Sequence, residues 1–171
     1  MILIAIGANL PLEAESTPLA TCEAAVNEIL TIPGIRLQKQ STWYRSRAIP
    51  VSDQPDYCNG VISVIGEIEP QALLHALQQI ETRFGRVRSV PNAARTLDLD
   101  IIDMAGMVYN EPTLTLPHPR AHERAFVLRP LLDVAPDWEH PVLRQAAFLL
   151  LASLPPQAIT NWHDMSAPTG V

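Results

Sequence analysis

The sequence has few of the residues that mark several classes of protein. It contains two cysteines and seven glycines among 171 residues, and no stretch rich in glycine or serine divides it. Cys22 and Cys58 form no CxxC motif, so both are interpreted as reduced structural thiols and a disulfide is not expected. Because 47% of the residues are hydrophobic, the chain can bury one core. We expect one domain over residues 1–155 and a C-terminal tail over residues 156–171.

Long hydrophobic runs are also absent. Nowhere do about 18 apolar residues follow one another, which is the length that a membrane-spanning helix needs. The first apolar run, MILIAI, is short, and no basic residue precedes it as one would in a secretory signal. We therefore expect a soluble, cytoplasmic protein without a membrane partner.

The basic residues include almost no lysine. Lys39 is the only lysine among twelve basic residues, and the net charge is −6. Binding to a nucleic-acid backbone requires an excess of lysine and arginine, so a general nucleic-acid partner is not expected. Arginine makes bidentate contacts with phosphate, and a cluster of arginines before an aspartate pair favours a phosphate-bearing ligand. A GC-rich genome would explain the abundance of arginine but not this cluster, which consists of Arg83, Arg86, Arg88 and Arg95.

Hydrophobic periodicity predicts strands and helices in the order βα, ββ, αβ. One helix is predicted from Thr17, a capping residue followed by proline, to Pro33-Gly34, and another from Pro70 to Gly85. This order is the split βαβ arrangement of ferredoxin-like sheets. The strands are predicted over residues 1–6, 35–44, 60–68 and 94–103.

The C-terminal third carries weaker patterns. A strand over residues 107–109 is predicted to pair by a hairpin across Ala105-Gly106. Helical segments are expected over residues 126–132 and 142–151. The last fifteen or so residues are expected to fray.

Two aspartates lie one residue apart in the predicted strand ARTLDLDIID, residues 94–103. Because side chains alternate along a strand, Asp98 and Asp100 share one face and the neighbouring leucines and isoleucine share the other. Two charges about 6.5–7 Å apart repel by about 2 kcal/mol at an effective dielectric constant of about 20. A cation that prefers oxygen ligands, such as Mg²⁺, would offset this repulsion. The alternative is an exposed polar face on which Arg86 and Arg95 pair with the aspartates.

Arginines followed by carboxylates are the groups that phosphoryl transfer requires, because metal ions bridge phosphate oxygens and fixed cations stabilise the developing charge. No GxxxxGK[ST] motif occurs, so a Walker loop does not hold the phosphates. His118 lies between two prolines in LPHPRAHERAF, near Arg120 and Arg124, and is a candidate for a phosphate contact. A purely structural histidine is the alternative.

The segment DQPDYCNG supplies an aromatic ring, Tyr57, and an amide, Asn59, at alternate positions before a predicted strand. Such a pair can stack on a flat heterocycle and form hydrogen bonds with it. An ordinary turn into a strand is the alternative.

Five segments resemble those of the 6-hydroxymethyl-7,8-dihydropterin pyrophosphokinase family in order and spacing. They are GANL, QPDYCNGV, IExxxGRVR, ARTLDLDI and LPHPRxxxRAFVLxPL, which span about residues 2–137. The resemblance implies an α+β fold with a ferredoxin-like, mainly antiparallel sheet and helices on both faces, in three layers. It also implies a diphosphotransferase of folate biosynthesis that transfers pyrophosphate from ATP to the pterin hydroxymethyl group and releases AMP. A monomer is expected.

The resemblance further implies roles for individual residues. Asp98 and Asp100 resemble the ligands of two Mg²⁺ ions on the ATP phosphates, and with Arg86 and Arg95, which contact the transferred group, they form the expected catalytic set. The expected ATP-binding residues are Gln78, Glu81, Arg86, Arg88, Arg95, Ile101, Thr115 and His118. The expected pterin-binding residues are Ser46, Ile49, Tyr57, Asn59, Arg124 and Phe126.

The sequence also departs from the pattern of this family. The segment SVPNAA, between Arg88 and Arg95, lacks the lysine and the Trp-Gly-Pro that familiar members often carry there and is one residue shorter. Arg47 replaces a usual proline beside the pterin, and GANL replaces GSNL. Loops over residues 46–56 and 89–94 are expected to close over the two substrates.

Two other functions remain open on the residues alone. A two-metal phosphohydrolase would use the same aspartates with water as the nucleophile, although such enzymes usually have more metal ligands. A ferredoxin-like regulatory module would bind a small ligand, and its aspartates would be a surface feature. Formation of AMP that requires the pterin would exclude the first, and Mg²⁺-dependent nucleotide binding would exclude the second.

Overall fold

The computed structural model describes residues 1–10, 16–47, 55–85 and 96–164. The strands are β1 (Ile2–Ala8), β2 (Ile35–Gln40), β3 (Tyr44–Ser46), β4 (Tyr57–Gly66), β5 (Asp98–Met104), β6 (Tyr109–Glu111), β7 (Leu114–Leu116) and β8 (Ile159–Asn161). The helices are α1 (Pro18–Ile29), α2 (Pro70–Arg83), α3 (Ala125–Val134) and α4 (Ala147–Ala152), with a 3₁₀ turn at Ala121–Glu123.

Six strands form one antiparallel sheet in the order β5-β1-β4-β3-β8, and β2 also pairs with β4. β2 and β3 together occupy one edge of β4, because they pair with its second and first halves. With α1 between β1 and β2 and α2 between β4 and β5, this is the ferredoxin-like order. The predicted fold class is confirmed.

Helices cover both faces of the sheet. On one face α1 and α2 pack against a buried cluster that includes Ile4 of β1 and Ile62 of β4. On the other face α3 and α4 pack against a second cluster, which includes Leu3 and Val61. Neighbouring residues of a strand enter different clusters because successive side chains point to opposite faces. The predicted three-layer arrangement is therefore present.

The helix signals in the sequence are confirmed. The Thr17 hydroxyl accepts a hydrogen bond from the Ala20 backbone N–H at 3.1 Å, and Pro18 is the first residue of α1. Pro70 likewise begins α2, and Gly85 follows this helix with a φ of +82°. Proline lacks the N–H that a first helical turn leaves unbonded, and glycine tolerates the left-handed conformation that ends a helix.

Three predictions for the C-terminal third are wrong in detail. Residues 107–108 are not a strand. The hairpin lies further along the chain, where β6 pairs with β7. The second helical segment is only α4, so it begins at Ala147 rather than at position 142. Residues 156–171 are not simply a frayed tail, since β8 pairs with β3 and joins the sheet. Residues 165–171 lie outside the described part of the chain.

Both cysteines are buried and unbridged. Contact with the Cys58 side chain and burial raise the pKa of Cys22 well above its usual value, which keeps this thiol protonated. In the described parts of the chain, no helix has the length and apolar character needed to cross a bilayer.

Candidate active site

Strand β1 provides small residues between two rows of polar side chains. In the register of the sheet, Gly7 lies between Asp98 of β5 and Asn59 of β4, and Ala5 is paired with Asp100. A Cβ atom at Gly7 would lie 3.3 Å from Oδ1 of Asn59. A larger side chain there would occupy the space between the carboxylates and the amide.

This space is a cavity of about 230 Å³ on the α3 side of the sheet. Its wall combines carboxylates from β5, polar side chains from β3 and β4, and side chains from the start of α3. The cavity brings together many of the residues that the sequence predicted for the catalytic and pterin sites: Ser46, Tyr57, Asn59, Asp98, Asp100, Arg124 and Phe126.

The aspartate pair has the predicted alternation. Leu97, Leu99 and Ile101 are buried in the cluster beneath α1 and α2, whereas Asp98 and Asp100 face the cavity on the other side. Each apolar residue is thus anchored in the core while the carboxylates stay accessible, with 31% of the Asp100 side chain exposed. The strand positions two oxygen ligands without burying their charge.

Two side chains from the segment after β7 approach the same carboxylate oxygen. Nε2 of His118 and Nη1 of Arg124 each lie 3.7 Å from Oδ2 of Asp100. The His118 backbone N–H donates to the Ile102 carbonyl at 2.9 Å, which ties this segment to β5. The positive charge of Arg124 therefore offsets part of the repulsion between the aspartates.

His118 is a neutral donor in this arrangement. Burial, with smaller contributions from the nearby Arg124 and Arg120, lowers its pKa from 6.5 to about 4, although Asp98 partly opposes this shift. Nδ1 accepts a hydrogen bond from the Arg120 backbone N–H at 3.1 Å, so the ring proton resides on Nε2. The imidazole therefore presents an N–H group, rather than a positive charge, toward Asp100.

The opposite wall of the cavity is polar and aromatic. Nδ2 of Asn59 donates to the Ser46 hydroxyl at 2.6 Å, which fixes the amide and leaves Oδ1 directed toward Gly7. The rings of Tyr57 and Phe126 are half-buried and line the same cavity. An amide with fixed orientation and two aromatic rings in one cavity suit a flat heterocycle.

Comparison with known proteins agrees with this geometry. The model of the 7,8-dihydro-6-hydroxymethylpterin-pyrophosphokinase (HPPK) family matches residues 3–136. The chain belongs to the HPPK family.

Individual HPPK relatives differ in length. The chain is 42% identical over 123 residues to 2-amino-4-hydroxy-6-hydroxymethyldihydropteridine pyrophosphokinase of Synechocystis, covering 72% of this chain and 63% of that protein. The enzyme of the same name from Pseudomonas aeruginosa is 38% identical over 151 residues, with 88% and 90% covered. Folic acid synthesis protein fol1 of Pneumocystis carinii is 42% identical over 115 residues, but only 16% of it is covered. The chain thus spans less than two thirds of some of these relatives.

A solved structure shows the same fold. Wild-type HPPK-DHPS of Plasmodium falciparum with pteroate matches with a TM-score of 0.62 at 12% identity, covering 88% of this chain and 43% of that one. At this identity the likeness concerns the fold alone.

The structure describes only some of the residues that the HPPK resemblance predicts for the nucleotide site. Gln78, Glu81, Ile101, Thr115 and His118 do not line the cavity, although His118 approaches Asp100. Glu81 is buried, and its carboxylate accepts a hydrogen bond from the Leu99 backbone N–H at 3.0 Å, which supports β5 from the α2 side. The assignment of Gln78, Glu81, Ile101 and Thr115 to the ATP site remains a prediction. The other expected residues, Ile49, Arg86, Arg88 and Arg95, lie outside the described residues, as do most of the two expected lid loops.

Several cavity residues were not predicted as site residues from the sequence. Glu123 and Gln157 line the cavity, as does Arg47, which the sequence marked only as a departure from HPPK relatives. Glu123 could have been inferred from its position next to Arg124. Gln157 carries no local signal, because a long-range strand pairing places it.

Proposed function

We propose that this chain transfers pyrophosphate from ATP to 6-hydroxymethyl-7,8-dihydropterin, which yields the pterin diphosphate and AMP in folate biosynthesis. The observation that supports this most directly is the shared cavity. Two carboxylates suited to a metal-bound polyphosphate and a polar, aromatic wall suited to a heterocycle line the same space. Membership of the HPPK family supports the same reaction.

The residues present fit two Mg²⁺ ions bound with the nucleotide. Asp98 and Asp100 offer oxygen ligands on one face of β5. The described residues contain no cluster of three or more metal-ligating side chains, so the protein would supply only part of each ion's coordination. Mg²⁺ typically binds one or two carboxylates and completes its coordination with water and substrate phosphates. When bound, the ions would neutralise phosphate oxygens and act as Lewis acids.

The protein side chains would mainly position the substrates. Asn59, Tyr57 and Phe126 would orient the pterin so that its hydroxymethyl oxygen attacks the β-phosphorus in line. Arg124, beside Asp100, would stabilise negative charge on the transferred group. His118 is neutral and hydrogen-bonded at Nδ1, so it is suited to donate an N–H to an oxygen rather than to take a proton. A loose transition state does not depend on a strong general base.

One assay tests the proposal. The purified protein is incubated with ATP and Mg²⁺, with and without 6-hydroxymethyl-7,8-dihydropterin, and AMP is measured. We expect AMP only when pterin is present. AMP formed equally without pterin would instead indicate hydrolysis, with water as the nucleophile.

We also propose that the protein is a monomer and that it lies in the cytoplasm. Sizing and localisation experiments would test these two points.

A further inference from the structure

The segment after α4 forms part of the active-site wall. β8 pairs antiparallel with β3, in a register that places Ile159 opposite Ser46. Ser46 in turn accepts the hydrogen bond that fixes Asn59. The segment that leads into β8 therefore runs beside the polar wall of the cavity, although it lies beyond the part of the chain that matches the HPPK family model.

Trp162 fixes this segment in place. The Arg45 guanidinium carbon lies 3.9 Å from the centroid of the Trp162 ring, and the Trp162 backbone N–H donates to the Trp43 carbonyl at 2.9 Å. The Trp162 ring also packs against the core beneath α1 and α2. Together with the pairing of β8 to β3, these contacts hold the segment against the sheet, which restricts the positions of the residues just before β8.

Gln157 is the residue of this segment that lines the cavity. Its Nε2 atom is buried and has no hydrogen-bond partner among the residues that the structure describes. A buried amide donor without an acceptor is unfavourable, and the terminal torsion of a glutamine side chain is soft enough to turn the amide toward a nearby acceptor. An acceptor on a molecule in the cavity would satisfy it.

We infer that Gln157 is a further pterin-binding residue, which donates a hydrogen bond from Nε2 to an oxygen or nitrogen of the heterocycle. The inference rests on the proposed function. The pterin is the suitable partner because Gln157 shares the cavity with Ser46, Tyr57 and Asn59, and an uncharged amide matches an uncharged heterocycle. A polyphosphate would instead be drawn to the arginines and the metal ligands.

Calorimetry on three variants tests this role. Gln157→Leu keeps a side chain of similar size without polar atoms, and Gln157→Glu keeps the shape but replaces the donor with a carboxylate. Both should bind 6-hydroxymethylpterin about tenfold more weakly in the presence of Mg²⁺ and a non-hydrolysable ATP analogue. Affinity for the analogue alone should stay unchanged. Gln145→Leu, the same change at an exposed position of the same region, should match the wild type in both measurements.

Three results would overturn the inference. Wild-type pterin affinity in Gln157→Glu would show that donation by Nε2 is not used. Equal losses for pterin and for the ATP analogue would show that Gln157 only supports the fold. A wild-type protein that binds no pterin would overturn the proposed function, and the inference with it, so the two failures are distinguishable.

Discussion

At the scale of single residues, Asp98 tests the metal assignment. Asp98 lies at the beginning of β5, and it lines the cavity together with Asp100. We expect Asp98→Ala to reduce turnover by a factor on the order of 10³ or more, because a metal ligand is lost. Its melting temperature should not fall, because removing one of two like charges relieves repulsion.

Steady-state kinetics and thermal unfolding of the metal-free protein measure the two quantities. Asp137→Ala removes an exposed carboxylate outside the cavity and serves as the matched control. Turnover of Asp98→Ala close to that of the control would contradict the metal assignment.

His118 gives a prediction with a definite pH dependence. Its pKa is lowered from 6.5 to about 4 in the folded protein, so between these values the unfolded chain binds a proton that the folded chain does not. The free energy of unfolding of the metal-free protein should therefore fall as the pH drops below 6.5. At about pH 5 the decrease should reach at most about 2 kcal/mol. Above pH 6.5 the imidazole is neutral in both states and contributes nothing to the pH dependence.

Urea unfolding of the wild type and of His118→Gln at a series of pH values checks this prediction. The difference in stability between the two proteins should change below pH 6.5 and stay constant above it. His140, whose pKa is also lowered by burial, is present in both proteins and cancels in the comparison. A difference that does not vary with pH would show that His118 titrates normally.

The residue scale also shows what alternation can predict. The placement of Asp98 and Asp100 on one face followed from the strand period, because the apolar residues that alternate with them need a core. The neutral state of His118 could not be predicted, since it depends on burial and on Arg120 and Arg124 lying near the same ring.

At the scale of elements, β8 is the main addition to what the sequence predicted. α1 and α2 could be predicted because caps and prolines are local signals. β8 has only three residues, and its pairing with β3 joins segments that are far apart along the chain. Such a short strand has no period of its own, so the C-terminal region resembled a tail.

Trp162→Ala tests whether β8 supports the site. The ring stacks on Arg45 and packs on the core, so its removal should lower stability by about 1–3 kcal/mol. Because β3 carries Ser46, pterin affinity should fall as well, whereas affinity for an ATP analogue should change less. Thermal unfolding and calorimetry measure these effects.

The control is His163→Ala, which changes the adjacent exposed side chain and leaves the Arg45 stack intact. Unchanged stability and unchanged pterin affinity in Trp162→Ala would mean that β8 does not support the cavity wall.

At the scale of the whole molecule, the three layers bring together residues from across the chain. The ferredoxin-like order places β1 between β4 and β5, so Asn59 and the aspartates flank Gly7 although they are distant in sequence. The fold class followed from the order of elements, whereas the metal, phosphate and heterocycle chemistry was predicted from motifs and remains a proposal. The identity of the cavity wall required the tertiary structure, because register decides which side chains meet.

The central claim is that this one cavity transfers a pyrophosphoryl group intact. Phosphorus NMR of a reaction with ATP, Mg²⁺ and 6-hydroxymethyl-7,8-dihydropterin tests it most directly, because it resolves every phosphorus-containing product. We predict equal amounts of AMP and a pterin diphosphate, with neither ADP nor free pyrophosphate accumulating. ADP with a pterin monophosphate, or AMP with free pyrophosphate and unmodified pterin, would contradict the account.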